Sequence, residues 1–180
     1  MLPDSEFFSW SDEVIASDQA DRYDIDNLPP PELLPGIERT MQQMDRIRRL
    51  LDRPVHVSSW YRSRDLNVLV GGAATAAILR ETRAQTPHEV VAAAAQARLA
   101  RGRHGARNSS HTMGRAADFT CRQYGTVRQV HEFLAPLVRD LEIDQLILEF
   151  PNSPRGGWIH VGFSDSPRYM VFGIDEGAAA

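Results

Sequence analysis

With 180 residues, 42% of them hydrophobic and 24% charged, the chain has the size and balance of one soluble globular domain and is too short for two full ones. No run approaches the eighteen apolar residues a membrane span requires, and the net charge of -4 argues against a general nucleic-acid binder. Cys121 is the only cysteine, so an internal disulfide is excluded, a thiolate cluster nearly so, and a buried inert thiol is expected. All 20 basic residues are arginine, for which there is no physical account.

The first thirty-five residues are acidic and turn-rich, and Met1 to Trp10 lacks the basic-then-apolar layout of a secretory signal. Ser9 or Ser11 can cap one short helix to about Ala16, and Asn27-Leu28-Pro29-Pro30-Pro31 reads as an extended arm. From Leu34, apolar residues recur at Ile37, Met41, Met44, Ile47 and Leu51, the spacing of an amphipathic helix that should pack on a sheet. Pro54 ends it, Val55 to Trp60 alternates as a strand, and Tyr61 to Asn67 turns back into helix or loop before the break at Gly71-Gly72. Thr86-Pro87-His88-Glu89 has capping-box spacing and opens an alanine-rich helix to about Arg101. Arg115 to Cys121 reads as a strand, and Thr126-Val127-Arg128-Gln129 caps a helix to about Arg139. Ile143 to Phe150 and Gly157 to Phe163 form an antiparallel hairpin, with an edge strand at Tyr169 to Ile174 and a frayed tail from Glu176. This order predicts an α+β fold, a small antiparallel sheet flanked by helices.

The chemistry concentrates in Ser109 to Phe119, where His111 and Asp118 stand across a glycine and two alanines. Imidazole and carboxylate are normal zinc donors, and a catalytic site needs three protein ligands plus an open position. His160, in Gly156-Gly157-Trp158-Ile159-His160-Val161, is the best third ligand. Zinc hydrolysis also needs a base and a donor for the developing oxyanion, for which Glu149 and Arg62 are the candidates. If Glu149 pairs with Trp158, His160 lies opposite Ile147 and shares a face diagonally with Glu149; a slip of one residue separates them. Of the other histidines, His56, His88, His104 and His131 read as structural or exposed. Arg62 has a plainer reading as the surface partner of Asp65, Glu149 as a solvated strand end, and Trp158 and Tyr61 as core or cleft walls.

These segments together resemble the zinc D-alanyl-D-alanine carboxypeptidases and L-alanyl-D-glutamate endopeptidases of peptidoglycan, which share a fold with the Hedgehog signalling domain. The resemblance is carried by Ser58 to Ser63 with Leu66-Asn67 and Gly71-Gly72, by Ser110-His111 through Gly114, Ala116, Asp118 and Phe119, by Asp144 to Phe150, and by Trp158 to Val161. Phe8, Ser9, Ala20 and Asp26 to Pro29 resemble phage-associated members. The resemblance implies zinc held by His111, Asp118 and His160, catalysis by Glu149 and Arg62, and a substrate surface of Arg62, Tyr61, Ser110 and Trp158. It further implies a peptidoglycan peptide substrate, possible virion partners, and synthesis in the cytoplasm followed by action on the wall.

Two departures accompany it. Many members carry an acidic base three residues before the last zinc histidine, and here that position is Gly157. Residues 73–108 replace what is usually a short loop and resemble an inserted helical lid or docking element within a single domain. Six arginines there against Glu81 and Glu89 give a local charge of +4, either a flap that attracts anionic wall material or a solvated helix face. The competing function is a phage structural or wall-binding module that keeps the zinc fold without catalysis. A hydrolase for a non-wall substrate is a third possibility.

Overall fold

Apolar residues three and four apart make helix α2, Leu34–Leu51, one-sided, and the computed structural model buries that side completely: Ile37, Met41, Met44, Ile47 and Leu51 are each 0–2% exposed. Burial of each such side chain contributes roughly 1.5–3 kcal/mol. Asp52, in the left-handed region at φ 47°, closes the helix, and its N–H returns to the Arg48 carbonyl. The structure describes residues 1–70, 86, 89, 91–93, 109–154 and 156–175.

The α2 stripe joins one core with Phe119, Leu146, Ile159 and Val161 of a five-stranded sheet. Its strands are β1 (His56–Ser59), β2 (Ala116–Thr120), β3 (Ile143–Glu149), β4 (Trp158–Phe163) and β5 (Met170–Ile174), in the order β1-β2-β4-β3-β5. The first four pair antiparallel, as expected; the edge strand β5 departs by lying parallel to β3. The buried Asp144 carboxylate anchors its entry by accepting from the Arg168 backbone N–H at 2.7 Å and from its guanidinium. The β3–β4 hairpin takes the register that puts Glu149 and His160 on one face, with Glu149 opposite Trp158 and Ile147 opposite His160. Packed on β3 and β4, helix α4 (Val127–Leu134) begins at the capping box predicted from Thr126 and Gln129 and is continued only by a short 3-10 turn, Ala135–Leu137.

The N-terminal segment is more firmly seated than an arm. Ser9 caps a π-type turn, Trp10–Val14, and Ser17 caps a short helix α1, Asp18–Arg22, which periodicity does not reveal. Phe8, Trp10 and Val14 enter the core, with Phe8 edge-on to Trp60. Asp45 of α2 accepts hydrogen bonds from Ser5, Glu6 and Phe7, while Asn27 bridges Ile15 and Tyr61 carbonyls to the Ser63 N–H. This last contact fixes the loop between β1 and helix α3, Arg64–Leu69, which carries Arg62.

The capping box at Thr86 forms reciprocally with Glu89, and 91–93 are helical. The remainder of the 73–108 segment, with His88 and His104, and the tail from Glu176 lie outside the described residues. Cys121 is free and buried, as expected.

Candidate metal centre

Asp118 sits in β2 with Ser59 of β1 on one side and His160 of β4 on the other. The ladder therefore sets the carboxylate beside one imidazole. The second arrives from a 3-10 turn, Ser110–Met113, which Gly114 closes at φ +67° just before β2. A Cβ there would stand 2.2 Å from Ile37 Cγ1, so glycine is required both by the backbone and by the helix beneath.

Three donor atoms meet at this point. Asp118 Oδ1 lies 2.9 Å from His160 Nδ1 and 3.2 Å from His111 Nε2, and the two imidazole nitrogens are 3.3 Å apart. A tetrahedral zinc site with bonds of about 2.0–2.1 Å has donor–donor edges of about 3.3–3.4 Å. The triangle has close to those dimensions. All three residues are buried.

Their protonation suits a cation. His111 Nδ1 lies 2.7 Å from the Trp60 carbonyl, which can only accept, so that nitrogen carries the proton and Nε2 presents a lone pair. Burial is the largest influence on His111 and drives it toward the neutral form, against the pull of Asp118. Burial would raise Asp118, but His111, His160 and Arg62 together outweigh it and hold the carboxyl far below the usual carboxylate range. A neutral imidazole and a carboxylate thus point their lone pairs into one buried spot beside a second imidazole. A divalent cation satisfies that arrangement, and the chemistry of the donor set fits zinc.

Arg62 is placed differently from its surface reading. Its Nη2 donates to Asp118 Oδ2 at 2.5 Å and its Nε to Ser59 Oγ at 2.6 Å, with Asp65 uninvolved. Only Nη1 lacks a hydrogen-bond partner among the described residues, so one edge of the guanidinium is left for a substrate oxygen. Its backbone N–H also donates to the His111 carbonyl at 3.2 Å.

Glu149 ends β3 on the face it shares diagonally with His160. Burial is the main cause that raises its carboxyl above the ordinary range; the Asp118 charge adds to this, and His160, Arg62 and the Trp158 indole oppose it. The Trp158 Nε1 is itself buried outside hydrogen-bond geometry, and the ring packs on Phe150 at 5.2 Å. Ser110, half-buried, opens the 3-10 turn, and Tyr61 is buried in the core. Tyr61 and Arg62 border an open cavity of about 470 Å³ that runs along β1 past Ser59 to Asp12 and Glu13.

The position three before His160 cannot hold an acid in this fold. Gly157 has φ +68°, and a Cβ would lie 2.3 Å from the Glu149 carbonyl oxygen and 2.6 Å from that of Phe150. The glycine lets the hairpin close tightly and bring Glu149 alongside.

Sequence reasoning did not find Ser59 or the Trp60 carbonyl. Ser59 had a signal, since it stands three residues before Arg62 and opposite Asp118 once the strands are paired. The carbonyl had none, because any residue type supplies one.

A buried imidazole–carboxylate–imidazole triangle of this size can hold one metal ion, as the sites of single-metal hydrolases do. The family model described as Peptidase M15 matches residues 10–103, more than half of the chain. The chain belongs to the Peptidase M15 family. No curated protein and no solved structure matches it. The matched span contains Ser59, Trp60 and Arg62, which support the donors, and ends before His111, Asp118 and His160.

Proposed function

We propose that the protein is a zinc-dependent peptidase that hydrolyses peptide bonds in peptidoglycan stem peptides, as a D-alanyl-D-alanine carboxypeptidase or an endolysin-like endopeptidase. The observation that carries this reading is the hairpin register, which sets a carboxylate of raised proton affinity beside the three-donor triangle. Zinc, when held by His111, Asp118 and His160, supplies Lewis acidity toward water and toward the scissile carbonyl. Glu149 takes the proton of the attacking water and returns it to the leaving amine; its raised pKa suits both halves of that cycle. The free edge of Arg62 donates to the carbonyl oxygen as charge develops there, or holds a substrate carboxylate. Ser110 and Trp158 border the substrate, with Tyr61 behind them. The enzyme would meet the wall after phage-type release or as part of a virion, where virion proteins would be its partners.

Purified protein is assayed for peptide release from stem peptides before and after chelation. Activity should vanish on metal removal and return with zinc, and Glu149→Gln should lose at least about 100-fold while still binding zinc. Hydrolysis by metal-free protein would sink the mechanism. Gly157 in the acid's usual place favours one other reading, a zinc-containing phage structural or wall-binding module without catalysis. It wins if parent and Glu149→Ala both bind wall and neither releases peptide.

A further inference from the structure

We propose that Ser59 is a positioning residue for the metal centre, acting through Arg62 on Asp118. The inference rests on the metal-binding reading above and assigns a role to a side chain that is not itself a metal donor. Strand β1 pairs with β2 regularly at His56 and Val57, and then its register shifts so that Ser59, rather than Ser58, faces Asp118. Ser58 is the extra residue, and its hydroxyl bonds the Asp118 carbonyl at 3.2 Å, which pins the bulge in place.

The bulge has a chemical consequence. Ser59 Oγ accepts the Arg62 Nε–H at 2.6 Å, which fixes the plane of the guanidinium. From that plane Nη2 reaches Asp118 Oδ2. With Oδ2 occupied, Oδ1 alone faces His111 and His160. The carboxylate is thus held to offer one oxygen to a metal. Without the Ser59 hydroxyl the guanidinium is free to rotate, Oδ2 loses its fixed donor, and Asp118 can swing toward two-oxygen binding. Both side chains are nearly enclosed, Arg62 at 13% and Asp118 at 7% exposure, so water is a poor substitute.

The test compares Ser59→Thr, which keeps the hydroxyl, with Ser59→Val, which has the same shape without it; both suit an edge strand. Zinc affinity is measured on the full chain by competition with a chromogenic chelator, without peptide. Ser59→Val should bind zinc 10–100-fold more weakly, as removal of a supporting group around a metal ligand does, with Ser59→Thr within a few-fold of the parent. Cobalt-loaded Ser59→Val should also show an altered visible spectrum. Equal zinc affinity in the two variants, or an unchanged cobalt spectrum, overturns the proposal; a packing role would move both variants together. Should both unfold, Arg62→Lys carries the test, since a flexible ammonium lacks the rigid planar fork that holds Ser59 and Asp118 in one fixed geometry, and parent-like affinity there overturns it equally. If the parent binds zinc but hydrolyses nothing, the peptidase reading fails and this one stands.

Discussion

Replacement of Gly157 by alanine adds a single methyl group at the mouth of the hairpin that carries Glu149 and His160. Two costs follow from the coordinates. A side chain at φ +68° costs roughly 1–2 kcal/mol. The new Cβ would stand 2.3, 2.6 and 2.7 Å from Glu149 O, Phe150 O and Phe150 C, all backbone atoms with no rotamer to yield, and such overpacking adds roughly 1–3 kcal/mol. The sum is about 2–5 kcal/mol. The group that must move is the peptide of Glu149, so activity should fall with stability even though no functional side chain is altered. Urea unfolding of both proteins gives the difference, with an unchanged slope confirming that the same surface is exposed. Gly157→Glu, which supplies the acid that the family resemblance leads one to expect at this position, should lose activity rather than gain it. A stability loss below about 1 kcal/mol for the alanine variant would show that the turn yields easily and would refute the steric argument.

In metal-free protein the Glu149 carboxyl should titrate above the ordinary glutamate range, because burial and then the Asp118 charge both disfavour its ionised form. Zinc should pull it down, since a nearby dication favours the anion; carboxyl NMR with and without metal reads the shift, and no downward movement would separate Glu149 from the centre. Asp144 is held below its ordinary value, foremost by the Arg168 hydrogen bond. A lowered acid stabilises the fold above its unfolded pKa and loses that contribution as pH falls through the folded one. Arg168→Ala should therefore lower stability at neutral pH and flatten its acid limb, and denaturation midpoints across pH 2–7 would contradict this if the two proteins kept a constant difference.

Much of the site was legible because its spacing is tied to backbone periodicity. The apolar stripe of α2, the capping box at Thr126 and the alternating runs of β3 and β4 fix element types, and the hairpin register then places Glu149 and His160 on one face. What escaped lies in contacts without a local signal. The parallel docking of β5 depends on Arg168 reaching Asp144, twenty-four residues away. Arg62 had a carboxylate three residues off in Asp65, yet the bulge in β1 turns it toward Asp118, 56 residues distant. The N-terminal segment looked like an arm because its core residues are few and irregularly spaced, while the polar groups of Asp45 and Asn27 do the fastening.

Of the donors, His111 and Asp118 are near neighbours in the chain, but His160 is 42 residues from Asp118 and joins them only when β2 and β4 are paired in register. Metal capture would therefore read out correct strand alignment: a chain slipped by one residue at β2 or β4 would present an incomplete donor set. Because zinc would bind the finished sheet far better than any misaligned one, its binding energy acts selectively against register errors. The cofactor would then serve as the proofreader of the assembly that holds it.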